Sequence, residues 1–387
     1  MVTGAYYPEL SGAGLQCRAL VNRLRDRVNF TVLTTTADRS LPIDDVQDGV
    51  PVHRVFIDPS SRWSKTAGAV RFTLAFLRNA SRFSIVHLHG FSQKSMLLIG
   101  LARLKRKRIA IKLTSVGHDD PASMSRRGSL AYRLYSHSDL FFAVSPRFVE
   151  SYDAAGLPRN RFRLIPNGVD CERFRPPVAG ERESLRGELG LPVESRIVLF
   201  VGFFSHEKRP DLLFDAWAKI AVSVAPDSVL VFVGATESPY YEVDPRLAER
   251  IRRLARAFGL DSRVRFVEQT HEIERFHRAA DIFVLPSLRE GLPNALLEAM
   301  ASGTPCIATR LEGVTDTLIE HERNGLLVPP QDASALQAAM VRCFQDRDWA
   351  LGLGAAARCT VKERYELGES ARQYFDAYTK LNGDERK

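Results

Sequence analysis

Short apolar, β-rich runs alternate along this chain with longer stretches whose apolar positions recur at helical spacing. In the first half the runs Phe30–Leu33, Val52–Val55, Ile85–Leu88, Ile109–Leu113 and Leu140–Val144 predict strands. In the second half Ile197–Val201, Val229–Val233, Val264–Val267, Ile282–Leu285 and Cys306–Ala308 do the same. Between them lie helical patterns, of which Leu212, Leu213, Ala216, Trp217 and Ile220 form the clearest stripe. Strand–helix alternation of this kind predicts an α/β protein with parallel sheets. The turn-rich segment from Arg163 to Asp170, followed by Phe174-Arg-Pro-Pro177, marks a boundary between two such halves. A last helical stretch, about Val361 to Leu381, carries Tyr365, Ala371, Phe375 and Tyr378 among charged residues.

Composition narrows the class without naming it. The chain has 387 residues, 45% of them hydrophobic and 26% charged, enough for two domains with separate cores. No apolar run approaches the roughly 18 residues that span a bilayer, and Met1 to Pro8 carries no secretory signal pattern. The five cysteines, Cys17, Cys171, Cys306, Cys343 and Cys359, are scattered without metal or redox spacing. A cytoplasmic location is the expectation. The net charge of +8 is uneven: residues 1–170 hold 25 Lys/Arg against 13 Asp/Glu, residues 171–387 hold 29 against 33. Two basic stretches account for much of this, Arg103 to Arg108 and the aromatic-bearing segment Arg62 to Arg82. Such segments suit either peripheral contact with an anionic membrane or a solvated helix whose apolar side faces the core. No recognised nucleic-acid motif accompanies the charge.

The most pointed chemistry lies at Glu290-Gly-Leu-Pro-Asn-Ala-Leu-Leu-Glu298. Upstream, Ala280 to Ser287 reads as a buried strand ending in a turn, so Glu290 falls on a loop at a strand's carboxyl end. Glu298 falls inside the following helix, with Pro293 suited to its first turn. The amides near Asn294 and Ala295 make that helix end attractive to electron-rich oxygens. Asn294 and Glu298, four apart, share a helix face. Two carboxylates and a helix end so arranged suit the hydroxyls of a polyol.

Glu-x7-Glu after a strand ending in Pro-Ser, continued by Glu298-Ala-Met-Ala-Ser-Gly-Thr-Pro305 and Asn324-Gly-Leu-Leu-Val-Pro329, resembles the retaining family 4 glycosyltransferases. The resemblance implies a GT-B fold: two Rossmann-like, doubly wound domains facing across a deep cleft. They would span residues 1–167 on the acceptor side, completed by a last helix at 361–387, and residues 168–360 on the nucleotide-sugar side. It implies that Glu290, with Gly291, Leu292, Pro293 and Asn294, positions the donor sugar and that Glu298 holds the ribose. In Val201-Gly-Phe-Phe-Ser-His-Glu-Lys-Arg-Pro-Asp211, Lys208 stands where the family's diphosphate-binding lysine stands, beside Gly202. Family members commonly place an arginine directly after that glycine; here it is Phe203, with Arg209 as a substitute cation. Gly12 and Gly14, in the segment Tyr6 to Leu15, match the family's glycine-rich donor loop, and His118 matches a catalytic-site histidine. Glu268-Gln269-Thr270 stands where the base is held, with Glu268 in a usual glycine position.

Two acidic or histidine pairs remain. Asp119-Asp120 reads as a loop or helix cap rather than a metal pair. His87-Leu-His-Gly90 ends a strand, and its histidines are expected on opposite sides, with His89 a candidate for lining the cleft. On this reading the protein is a metal-independent hexosyltransferase with no cofactor. It takes a UDP- or GDP-linked sugar and a glycan or lipid-linked acceptor, in cell-surface polysaccharide or glycolipid synthesis. The alternatives are a nucleotide-sugar epimerase of the same fold and an inactive partner subunit, the latter prompted by Phe203 and Glu268. The family's first strand runs several residues before the Tyr-Tyr-Pro turn. Only Met1 to Gly4 precede it here, which predicts a clipped first strand or a start placed too late.

Overall fold

The computed structural model describes residues 1–9, 11–91, 93–237, 243–268 and 270–383. Leu10 of the early glycine-bearing segment and Gln269 of the expected base loop lie outside them. The chain divides into two compact units, Met1–Gly168 with Leu367–Lys387, and Val169–Glu366.

The first domain carries β1 (Val32–Thr36), β2 (Asp44–Gln47), β3 (Val50–Phe56), β4 (Ile85–His89), β5 (Arg108–Leu113), β6 (Leu140–Ala143) and β7 (Phe162–Leu164). Hydrogen-bonded neighbours run β1-β3-β2 and β4-β5-β6-β7. Val2 joins the two sets, pairing in parallel with Leu33 and with Leu88. Its N–H donates to the His87 carbonyl at 2.8 Å and its carbonyl accepts from His89 N–H at 2.8 Å. The first strand is thus a single bridging residue. Only β2 runs antiparallel, turning into β3 through Asp48 and Gly49 at φ 53° and 80°. The strand expected at Phe30–Leu33 runs instead from Val32 to Thr36, carried on past Leu33 through the buried Thr34 and Thr36.

Helix Gly12–Leu24 packs through Leu20 and Leu24 into one core with Phe142 of β6 and Ala371, Tyr374 and Tyr378 of helix Leu367–Gly383. The single helix expected near 361–381 is two: helix Arg347–Arg364 belongs to the second domain, and the chain breaks at Tyr365–Glu366 before the last helix. Helix Arg62–Asn79 buries Gly68, Phe72, Ala75 and Phe76, while Trp63, Val70 and Leu74 face outward.

His87 and His89 do not diverge. Residues two apart on a strand share a face, and the rings stand 4.5 Å apart with His87 Nδ1 2.7 Å from the Tyr378 hydroxyl. Burial holds both imidazoles well below the usual histidine range. Among the described residues no group of three or more His, Cys, Asp or Glu is gathered around a metal position.

Beside His89 in register lies Lys112, 2% exposed, with burial pulling its ammonium down to about 8. The folded state therefore binds fewer protons than the unfolded chain between about 8 and the ordinary 10.5. Wild-type stability should gain a rising contribution across that window, and below it the buried charge is a standing penalty. Lys112→Met is expected to stabilise the first domain at pH 7, the gain shrinking towards pH 10.5. Denaturant melts at several pH values check it.

In the second domain β8 (Arg196–Val201), β9 (Ser228–Val233), β10 (Val264–Val267), β11 (Ile282–Leu285), β12 (Cys306–Thr309) and β13 (Leu326–Val328) lie in the order β10-β9-β8-β11-β12-β13. Every pair is parallel. Strand order reverses between β8 and β11, the position where open α/β sheets bind ligands at their carboxyl ends. Helix Pro210–Ser223 anchors this sheet with the fully buried Trp217, whose indole N–H donates to Ser228 Oγ at 3.1 Å.

Candidate functional site

Two loops leave the switch point of the second domain. One follows β8 and runs from Gly202 to Arg209; the other follows β11 and runs from Pro286 to Pro293. They are stitched together. Leu288 N–H donates to the Glu207 carbonyl at 2.7 Å, the Arg289 guanidinium pairs with Glu207, and Lys208 Nζ meets Glu290 Oε1 at 2.6 Å. The Glu290 side chain is 8% exposed and that of Lys208 28%. A nearly buried carboxylate is thus matched by one cation that still reaches solvent.

The first loop is held from behind by backbone. Gly202 N–H donates to the Val233 carbonyl at 3.0 Å, and Gly234 N–H to the Val267 carbonyl at 2.9 Å. A Cβ on Gly234, at φ 145°, would lie 2.1 Å from the Gly202 carbonyl oxygen. Only a glycine lets the loops after β8 and β9 touch here. Ser205 then turns the chain, its carbonyl accepting from Lys208 N–H and Arg209 N–H at 3.2 Å each. Arg209 sits at φ 53° before helix Pro210–Ser223 and directs its guanidinium at Asp211, 3.1 and 3.2 Å away. The structure gives it a carboxylate partner on its own helix.

Pro293 lies one position before helix Asn294–Ala301 rather than in its first turn, and its carbonyl accepts from Leu297 N–H at 3.2 Å. Pro293, at the cap position, supplies no side-chain hydrogen bond to this helix. Gly291, Leu292 and Pro293 are buried and carry the chain from Glu290 to Asn294. Glu298, in the second turn, has a side chain 16% exposed and lies 3.8 Å from His277 Nε2. His277 is fully buried between Phe174 and Phe283, and among the described residues neither ring nitrogen has a hydrogen-bond partner. Sequence reasoning passed it over; its one signal is an imidazole immediately before the apolar run into β11. Glu268 accepts from the Thr236 hydroxyl at 2.5 Å and so closes the loop after β9.

Gly12, Gly14 and His118 belong to the first domain. Gly14 N–H is taken by the capping Ser11 hydroxyl at 3.0 Å, and a Cβ there would lie 2.4 Å from the Ala5 carbonyl oxygen. Close packing of helix Gly12–Leu24 on Ala5 thus already requires this glycine. His118 is half-buried in the turn after β5, its carbonyl accepting from Arg127 at 3.0 Å. Asp119 accepts from Thr114 N–H, the Thr114 hydroxyl and Ser115 N–H at 2.8, 2.8 and 3.1 Å, and burial pushes its carboxyl up to about 6. Asp120 caps helix Pro121–Ser125 through Ser123 N–H at 3.0 Å. Asp119 thus serves its own loop, and Asp120 also accepts from the Ser151 hydroxyl at 3.1 Å.

The profile of Glycosyltransferase Family 4 matches residues 10–173, and that of Glycosyl transferases group 1 matches residues 195–346. The chain belongs to the family 4 glycosyltransferases, with the GT-B fold. This glycosyltransferase is 28% identical to a D-inositol 3-phosphate glycosyltransferase of Xylanimonas cellulosilytica over 385 residues, 93% of this chain and 88% of that one. Among solved structures it is similar to a sucrose-phosphate synthase of Thermosynechococcus elongatus, at 26% identity and TM-score 0.81 with 98% of both chains covered. It also shares its fold with Anabaena HepE, crystallised with UDP-glucose, at 19% identity and TM-score 0.78, with 98% of this chain and 99% of that one covered.

Proposed function

We propose that this glycosyltransferase moves a hexosyl group from a nucleoside diphosphate sugar, UDP-linked first among the options, to an acceptor hydroxyl with retained configuration and without a metal. The observation that carries the reading is the Lys208–Glu290 pair at the β8/β11 switch point, with Glu298 in the helix that follows. Lys208 would leave Glu290 for the donor's diphosphate and neutralise the charge that grows there as the sugar departs. Glu290, freed of its cation, would accept from sugar hydroxyls, with the backbone of Gly291 to Asn294 beside it. Glu298 would hold the ribose hydroxyls, with His277 fixed behind it. The bond from the anomeric carbon to the phosphate oxygen breaks as the acceptor oxygen bonds on the same face, and the acceptor's proton leaves with the diphosphate. In the first domain, His118 and the loop around Gly12 and Gly14 would serve the acceptor and phosphate side. The UDP-glucose complex of HepE supports the donor class.

Calorimetric titration with UDP, GDP and ADP tests this. One nucleotide is expected to bind, to bind more weakly as its 2′,3′-dideoxy form, and to lose that discrimination in Glu298→Ala. Equal binding of the ribose and dideoxy forms to the wild type would remove Glu298 from the site. No binding by any nucleotide would turn the reading towards an inactive partner subunit.

A further inference from the structure

The first domain carries an open apolar groove of about 700 Å³ lined by none of the residues assigned above to the transfer. It lies between helix Gln93–Leu104 and helix Ser129–Ser136. Leu101 and Leu134 line it, while Leu97, Leu104 and Leu130 stand beside them 46%, 80% and 72% exposed. Three leucines bared on one small surface are unusual for a face meant only for water. Around them Arg103, Lys105, Arg106, Arg126, Arg127 and Arg133 are all exposed, and none pairs with a carboxylate among the described residues. Between Arg103 and Arg133 the only acids are Asp119 and Asp120. Both are buried and spend their oxygens on Thr114, Ser115, Ser123 and Ser151. The exposed charges of this stretch are thus all positive.

We infer that this face docks the protein on an anionic lipid surface, the leucines entering the headgroup boundary and the rim meeting lipid phosphates. Charge selects the occupant. A second copy of the chain would bring the same positive rim against itself, whereas a bilayer rich in anionic lipid offers apolar depth beneath a negative surface. The aromatic-bearing helix Arg62–Asn79 is a weaker candidate, since Phe72 and Phe76 are spent on the core. This surface is independent of the donor site, and the inference stands or falls without any nucleotide.

The test is sedimentation of the full chain with vesicles of phosphatidylcholine alone and of phosphatidylcholine mixed with phosphatidylglycerol. Binding is expected only to the mixed vesicles and is expected to weaken with added salt. Lys105→Gln, Arg106→Gln and Arg133→Gln together should lower the partition about 100-fold, since each charge near such a surface is worth about fivefold. Leu104→Ser with Leu130→Ser should weaken it at unchanged charge. An unaltered far-ultraviolet spectrum and melting curve would show that the variants are folded. Equal binding to neutral vesicles, no binding to either, or indifference to both sets of substitutions would overturn the inference. So would a concentration-dependent dimer abolished by the leucine changes, which would assign the face to a second copy.

Discussion

Lys208→Ala is expected to lower kcat/KM by about 10²–10³-fold, the range seen when one preorganised charge-stabilising group is removed from a site. Two losses combine. The cation that would meet the departing diphosphate is gone, and Glu290, 8% exposed, keeps a carboxylate with its close partner removed. The second loss distinguishes this pair from a surface ion pair, where such a change costs little. Lys208→Arg should recover only part of the rate, because a forked guanidinium replaces a point charge that now sits 2.6 Å from Oε1. A double-mutant cycle with Glu290→Gln separates the terms: the two residues act on one donor, so their effects should fall well short of additive. Initial rates with the donor found by titration provide the measurement. A loss under about 10-fold, or strictly additive effects, would remove Lys208 from the chemistry.

Tyr374→Ala should destabilise the first domain by about 3–5 kcal/mol, the usual cost of truncating a buried aromatic. Tyr374 is 1% exposed, with its ring 4.6 Å from Phe142 and 5.8 Å from His87. Tyr374→Phe should be neutral or stabilising, because the hydroxyl is buried and has no hydrogen-bond partner among the described residues. The opposite signs make the experiment informative: a lost contact and a removed desolvation cost are read at one position. Chemical denaturation followed by probes in each domain should show one transition moving. A shift of the second domain's transition instead would contradict the assignment of the last helix to the first domain's core.

The sequence made the parallel strands legible because buried β-branched runs such as Val229–Val233 have few other uses. It was less legible where polar residues do buried work. Thr34 and Thr36 hid the true extent of β1, and the β2–β3 hairpin went unread although Asp48-Gly49 is a strong two-residue turn signal. The strands β7 and β13 are three residues each, too short for periodicity to register. At the site, Lys208 and Glu290 were found separately by resemblance. That they meet at 2.6 Å follows from the crossover order of β8 and β11, which no local window contains. Gly234 and His277 act through neighbours distant in sequence, Gly202 and Glu298, so they carried no local mark. The histidines of β4 were misjudged for a simpler reason: alternation puts neighbours on opposite faces and second neighbours on the same one.

The division of the chain has a consequence for its synthesis. The first domain's core needs Ala371, Tyr374 and Tyr378, which leave the ribosome only after the whole of the second domain. The second domain, Val169–Glu366, is by then a finished continuous stretch. Domains generally fold in the order they emerge, but here the first domain must wait, its sheet uncovered, until helix Leu367–Gly383 arrives. A stop placed between Glu366 and Tyr374 would therefore injure the domain that was made first.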